Sequence, residues 1–293
     1  MNRLVFTALT LGLLGLQAQP YPPQQPYPQQ AYPQGTPAIL PPQILDQLVG
    51  RVALYPDPLL AQVLTASTFY NQIPDAAGWA NQHSNLNGQQ LAQAIQEDNL
   101  PWDPSVLSLL PFASTLNLMA GDMNWTQALG NAVLAQRNDV MDAVQRQRQI
   151  ASSNGFLQTN AYERVIAEPG YIQVLPVNDL YIYPPIYDPY IVFGRPRPGF
   201  FVGGAIRFGP AVTIGTFLPF GWRRPEFDWQ RHNIIIDQRP WGRTWVNRQE
   251  YAHPYVERGA PVAGPRVERH EVRPVPPPPA RGREGRDRRD ERH

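Results

Sequence analysis

Proline decides which parts of this chain are able to pack. Its 34 prolines among 293 residues accumulate toward both ends. Segments dominated by proline with glutamine or arginine cannot bury enough apolar surface to offset the entropy of ordering a backbone. The core must therefore come from the middle of the chain, and the folded part is shorter than the whole. A chain of 293 residues is long enough for one sizeable domain or two small ones, and its hydrophobic fraction is 42%.

The first residues, "MNRLVFTALTLGLLGLQAQP", give a positive start ending at Arg3, an apolar run over 4–16 and a small residue at Ala18. That run falls below the roughly 20 apolar residues that span a bilayer and has the form of a secretory signal, so residues 1–18 are read as a signal peptide. An amphipathic first helix is a poorer description, because only Thr7 and Thr10 interrupt the apolar run. The expected location is periplasmic or extracellular, with no transmembrane span after signal cleavage. The chain has no cysteine, which excludes a lipid-modified cysteine, disulfides and thiolate metal sites.

Residues 19–43 repeat QPYP, QPYP and QAYP irregularly. Such sequence favours polyproline II and serves as a semi-rigid spacer. At residues 253–293 a proline run passes into mixed arginine and acid, and Glu284, Asp287, Asp290 and Glu291 offset any grip on phosphate-bearing surfaces. That stretch is expected to be a disordered tail. The net charge of +1 gives no global field toward nucleic acid or membranes. No lysine occurs, so every strong side-chain cation is a guanidinium.

Between the tails the pattern changes once. Over residues 44–155 apolar positions recur at three- and four-residue steps: Leu45, Leu48, Val49 and Val52, then Leu59, Leu60, Val63 and Leu64, then Leu91 and Ile95. A further run passes from Trp125 through Leu129, Val133, Val140 and Val144, with Gln136 in one apolar place. This predicts a compact bundle of five or six helices. Over residues 156–252 the pattern turns to β-branched and aromatic alternation, with turns at Glu168-Pro169-Gly170 and at Asn178-Asp179. A hairpin or three-stranded meander is expected there, followed by glycine-punctuated β structure. The fold class is α+β: an N-terminal helical bundle, then a small antiparallel β region.

Asp57 in "YPDPLLAQVL" stands before an apolar run with Pro58 behind it, and Asp103 in "PWDPSVLSLL" repeats the pattern. An Asp-Pro pair is a helix start, because the carboxylate accepts a first-turn N–H and proline loses nothing at the first helical position. Asp75 in "IPDAAGWANQ" suggests a third start. Asp57, Asp103 and Asp75 are thus read as helix caps. Tyr55, Trp79, Trp102 and Trp125 are read as core anchors.

Taken together, "LVGRVALYPDPLLAQVLTASTFYNQIPDAAGWANQ", "LPWDPSVLSLLPF", "LGNAVLAQRNDVMDAVQRQRQIA" and "LYIYPPIYDPYIVFG" resemble the bacterial exported family catalogued as domain of unknown function 3300. The likeness covers residues 43–194. It implies no activity, substrate or cofactor, so no functional residue is carried over from it.

The residues themselves carry little chemistry. A glycan hydrolase needs a carboxyl in an apolar pocket and often a second across the scissile bond. Asp57, Glu97 and Asp103 are the acid or base candidates; Glu97 and Asp98 precede Trp102, and a solvated helix end describes them better. The histidines, His83, His232, His253, His270 and His293, show no metal-ligand spacing. No G-x-S-x-G elbow and no dinucleotide fingerprint occur. No cofactor or nucleic-acid partner is expected. The sequence points to a non-catalytic envelope protein binding another envelope protein or a cell-wall polymer; the alternative is an exported hydrolase acting on peptidoglycan or polysaccharide.

Overall fold

A computed structural model describes residues 37–194 and 204–251. By its contacts the chain divides into residues 1–258 and 259–293, and all described residues belong to the first. The expected signal peptide, most of the expected Pro/Gln/Tyr linker and the expected C-terminal tail lie outside the described residues.

The first half is helical: α1 (Pro42–Val49), α2 (Asp57–Ser67), α3 (Ile73–Gln82), α4 (Gly88–Glu97), α5 (Pro104–Leu107), α6 (Ala113–Ala120), α7 (Met123–Ala135) and α8 (Arg137–Ser153). Proline occupies the first or second position of α1, α2, α3 and α5, where its missing N–H is one of the four that a helix start leaves unbonded anyway. α2 is buried on nearly every side and packs against α7, α5 and three strands. A helix apolar all round belongs at the centre.

The bundle has more helices than the five or six expected, for two reasons. The stretch opened by Asp103-Pro104 is a helix of a single turn followed by a second helix, α6, and the long run beginning at Trp125 is two helices. The break is Gln136, whose backbone leaves helical geometry at φ −146° and ψ 53°. Its side chain is what the apolar pattern could not anticipate: Oε1 accepts the N–H of Leu40 at 2.6 Å and Nε2 donates to the Leu40 carbonyl at 3.1 Å. A buried amide thus pairs with an entering backbone segment as a neighbouring strand would.

The second half comprises β1 (Glu163–Glu168), β2 (Tyr171–Pro176), β3 (Tyr181–Ile182), β4 (Pro185–Tyr187), the short helix α9 (Pro189–Val192), β5 (Ile206–Phe208), β6 (Val212–Thr213), a 3-10 segment Ile214–Phe220, β7 (Glu226–Asp228), β8 (Asn233–Ile236) and β9 (Arg239–Pro240). β1 and β2 form the expected antiparallel hairpin around Gly170, which takes φ 95°. The chain does not continue as a meander. β3 pairs with β6 and β4 with β5, both antiparallel, a nested ribbon interrupted where Pro184 and Pro210 have no N–H to donate. β7, β8 and β9 form a three-stranded antiparallel sheet. Part of the glycine-rich stretch expected as strand is instead the 3-10 segment, which ends on Gly221 at φ 88°. The Gly221 carbonyl accepts Nε2 of buried Gln62 on α2 at 2.5 Å.

The two halves share one core. Ile182, Phe217, Trp222, Phe227, Trp229 and Ile234 from the β region join the same buried cluster as Val52, Leu60, Trp125 and Val144 from the helices. A smaller cluster under the hairpin unites Leu54, Ala151, Leu157, Ile172, Val174 and Val192.

Candidate functional site

Arg148 lies four residues after Val144 and eight after Val140, on the buried face of α8, and its side chain is fully closed off from solvent. A guanidinium in such a place must direct its donors at acceptors. Nε donates to the Ala53 carbonyl at 2.9 Å, Nη2 to the Tyr55 carbonyl at 3.0 Å and Nη1 to the Ile172 carbonyl at 2.8 Å. Nη1 also stands 2.6 Å from Oδ1 of Asp57.

Asp57 therefore does not cap α2. It is the first helical residue, and the capping position belongs to Pro56. Its Oδ2 accepts the indole N–H of Trp229 at 3.0 Å and its Oδ1 the amide of Val174 at 3.4 Å. Three donors brought by the tertiary fold, one of them a cation, outcompete first-turn amides for the carboxylate. Burial pushes the Asp57 carboxyl up, while Arg148 first, then the Trp229 N–H and the Val174 amide, pull it back. The Arg148 guanidinium also sits 5.0 Å from the centroid of the Trp229 ring.

A second acid closes the centre. Glu163 opens β1, is 2% exposed, and its Oε2 is buried without a hydrogen-bond partner among the described residues. Burial pushes its carboxyl up to about 7, against the opposing pull of Arg148. The Tyr187 hydroxyl accepts the Leu54 amide at 3.2 Å, and burial raises it well above the usual tyrosine value; the buried Tyr55 hydroxyl is pushed up to about 12.

The other sequence candidates are placed separately. Asp103 caps α5, its Oδ1 accepting the Ser105 amide at 2.9 Å and the Ser105 hydroxyl at 2.6 Å. Asp75 is not a cap: it is the third residue of α3, and the preceding 3-10 turn Tyr70–Gln72 runs directly into that helix, leaving no loop residue for the role. Its charge still lies in the first turn, at the positive helix end. Glu97 is exposed at the end of α4, and Asp98 beside it accepts the Trp79 indole N–H at 2.6 Å. Tyr55, Trp79, Trp102 and Trp125 are all buried.

Sequence reasoning did not single out Arg148, Glu163 or Trp229. A signal existed for Arg148: it continues the stripe of Val140 and Val144, where a charged residue demands a buried partner. Glu163 and Trp229 had none, since each reaches the centre only through long-range packing.

An open groove of about 360 Å³ runs between the chain entering α1 and the first turns of α8, walled by Ile39, Pro42, Leu45, Asp139, Asp142 and Arg146. Its charges are engaged: Arg146 with Asp46 at 2.7 Å, Asp142 with His232 at 2.8 Å, and Asp139 with Gln136 at 3.3 Å. Among the described residues no group of three or more His, Cys, Asp or Glu is placed to hold a metal ion, and no helix is long and apolar enough to cross a membrane.

The model of a family described as a protein of unknown function, DUF3300, matches residues 42–257, which extends the likeness seen in the four sequence blocks across the whole β region. The chain is also 32% identical over 228 residues to the uncharacterized protein YacH of Escherichia coli (strain K12), an alignment covering 61% of this chain and 37% of that protein. The chain thus spans little more than a third of the length of this curated relative. No solved structure matches it. On the extent of that match, through helices and strands that share one core, the chain belongs to the bacterial DUF3300 family.

Proposed function

We propose that this protein is exported to the cell envelope and acts there as a non-catalytic binding module, taking a protein or cell-wall polymer on its β region. The observation that carries this reading is where its apolar surface lies. Of the twelve exposed large apolar side chains among the described residues, six fall between residues 177 and 191: Val177, Leu180, Tyr181, Ile186, Tyr190 and Ile191. Exposed apolar side chains gathered on one part of a protein mark sites of interaction with a partner or ligand. Tyrosine supplies contact area at low entropic cost.

The acids support the same reading. A hydrolase acting through Asp57, Glu97 or Asp103 would need a carboxyl presented to substrate in a cleft. Here the three serve as a buried ion partner, an exposed helix end and a helix cap. Export rests on the form of residues 1–18.

The test combines capture and turnover. Purified protein incubated with cell-wall material is expected to co-sediment without releasing soluble fragments, and Leu180→Asp with Tyr190→Asp is expected to lower capture while leaving the thermal midpoint unchanged. Fragment release that is lost in Asp103→Asn or Glu97→Gln would overturn the reading in favour of the hydrolase. Amino-terminal sequencing of the protein from its host tests export by showing whether residues 1–18 are removed.

A further inference from the structure

At the start of the β1–β2 hairpin, two acids face one cation. Arg148 from α8 pairs with Asp57 of α2 at 2.6 Å, its charge also acts on buried Glu163 of β1, and the neutral hydroxyls of Tyr187 on β4 and Tyr55 before α2 are the other titratable groups around them. The hydrogen bonds of Arg148 go to Asp57 and to the carbonyls of Ala53, Tyr55 and Ile172. Glu163 has a single long contact, from Asn160 Nδ2 at 3.5 Å, and its other oxygen is buried and unpartnered. Two carboxylates on a single guanidinium would leave a net negative charge in an apolar enclosure, which water would solvate far better.

The two strands of the hairpin are held differently. β2 is tied to the helices by the Gln145 side chain, bonded to both the amide and the carbonyl of Ile172 at 2.7 and 3.2 Å, by Arg148 at the same carbonyl, and by Asp57 at the Val174 amide. β1 pairs with β2 alone, and beyond Glu163 its side chains are half-buried or exposed. In the turn before it Asn160 Oδ1 accepts the amides of Tyr162 and Glu163 at 2.8 and 3.1 Å, and the exposed Tyr162 ring leans on Tyr183 and Phe208 at centroid distances of 5.0 and 4.5 Å. Within β1 Glu163 is therefore the one fully buried side chain, with Val165 half-buried against the cluster under the hairpin.

We propose that Glu163 is a proton-operated clasp: as a neutral acid it seats the start of β1 against the Arg148–Asp57 pair, and as a carboxylate it leaves for water, taking the beginning of β1 with it. β2 and the helical body stay in place, because their ties do not pass through Glu163. The physiological use of such a clasp rests on the export reading, since the surroundings of an exported protein follow external pH.

Amide hydrogen exchange on the full chain tests this directly. After correction for intrinsic rates, protection of the β1 amides is expected to fall by up to tenfold per pH unit above about 7, while α2 and α8 keep theirs. In E163Q the β1 amides are expected to stay protected throughout. Should E163Q not fold, the carboxyl carbon resonances of the wild-type chain decide: one glutamate is expected to titrate near 7, away from the ordinary 4.5. Protection of β1 that ignores pH, a pH dependence that survives in E163Q, or glutamates that all titrate in the ordinary range would each overturn the clasp. None of these measurements depends on export, so failure of one proposal is separable from failure of the other.

Discussion

Nη1 of Arg148 lies 2.6 Å from Oδ1 of Asp57, and both side chains are closed off from solvent. The pair joins the first residue of the central helix to the last long helix. Through the Val174 amide and the Trp229 indole it also holds two separate parts of the β region. A buried pair is not by itself evidence of high stability, because desolvation offsets most of the attraction. Its effect here is on arrangement: it favours one seating of the β region on the helices over others.

The first prediction contrasts two aspartates that look alike in sequence. Asp57→Asn leaves the Arg148 charge buried and is expected to cost about 3 kcal/mol or more. Asp103→Asn keeps its cap and is expected to be nearly neutral, whereas Asp103→Ala costs about 1 kcal/mol. Urea denaturation of the three variants checks the contrast, and a near-neutral Asp57→Asn would refute the ion-pair account.

Asp57→Leu combined with Arg148→Met removes both charges together. That double variant is expected to be more stable than the sum of the single losses implies, with a coupling of about 1.5 kcal/mol or more. A double-mutant cycle measures it; additivity would mean that the two side chains do not depend on one another.

Trp229→Phe keeps an aromatic ring and deletes the indole N–H that Asp57 Oδ2 accepts at 3.0 Å. The buried oxygen then lacks its donor, at an expected cost of about 1 to 3 kcal/mol. In an Asp57→Leu background the same substitution is expected to cost less, which separates the lost hydrogen bond from lost packing in thermal unfolding.

Gly130 on α7 lies against α2 so closely that a Cβ would stand 2.1 Å from the Ser67 carbonyl oxygen. Gly130→Ala must push the two helices apart, at an expected cost of about 3 kcal/mol or loss of the folded state. Gly78 on α3 meets nothing within 4 Å, so Gly78→Ala is expected to stabilise by about 0.5 to 1 kcal/mol through helix propensity. Paired midpoints in urea show whether space or propensity governs each site.

Stability should also vary with pH in a direction opposite to that of a salt-bridged acid. The Glu163 carboxyl titrates at 4.5 ordinarily and at about 7 in the fold, so between those values the folded protein holds a proton that the unfolded chain has lost. Its contribution is present below pH 4.5 and declines as pH rises through 7, by at most about 3 kcal/mol. Urea midpoints across that range in wild type and Glu163→Gln are expected to diverge in slope; parallel curves would refute the assignment to Glu163.

Local rules carried a long way in this chain. Proline and apolar spacing made the starts of α2 and α5 legible and placed Trp79, Trp102 and Trp125 inside, because a helix start and an amphipathic stripe depend on residues a few positions apart. The turn at Gly170 was legible for the same reason. What could not be read locally is whatever joins residues far apart in sequence. The Asp57 carboxylate is drawn from capping by partners 91, 117 and 172 residues away, at Arg148, Val174 and Trp229. Gln136 trades an apolar place for the backbone of Leu40, and β3 and β4 find β6 and β5 rather than β2. A side chain's own preferences amount to about 1 kcal/mol, while an unsatisfied buried charge costs several, so long-range packing overrules local grammar where charge is enclosed.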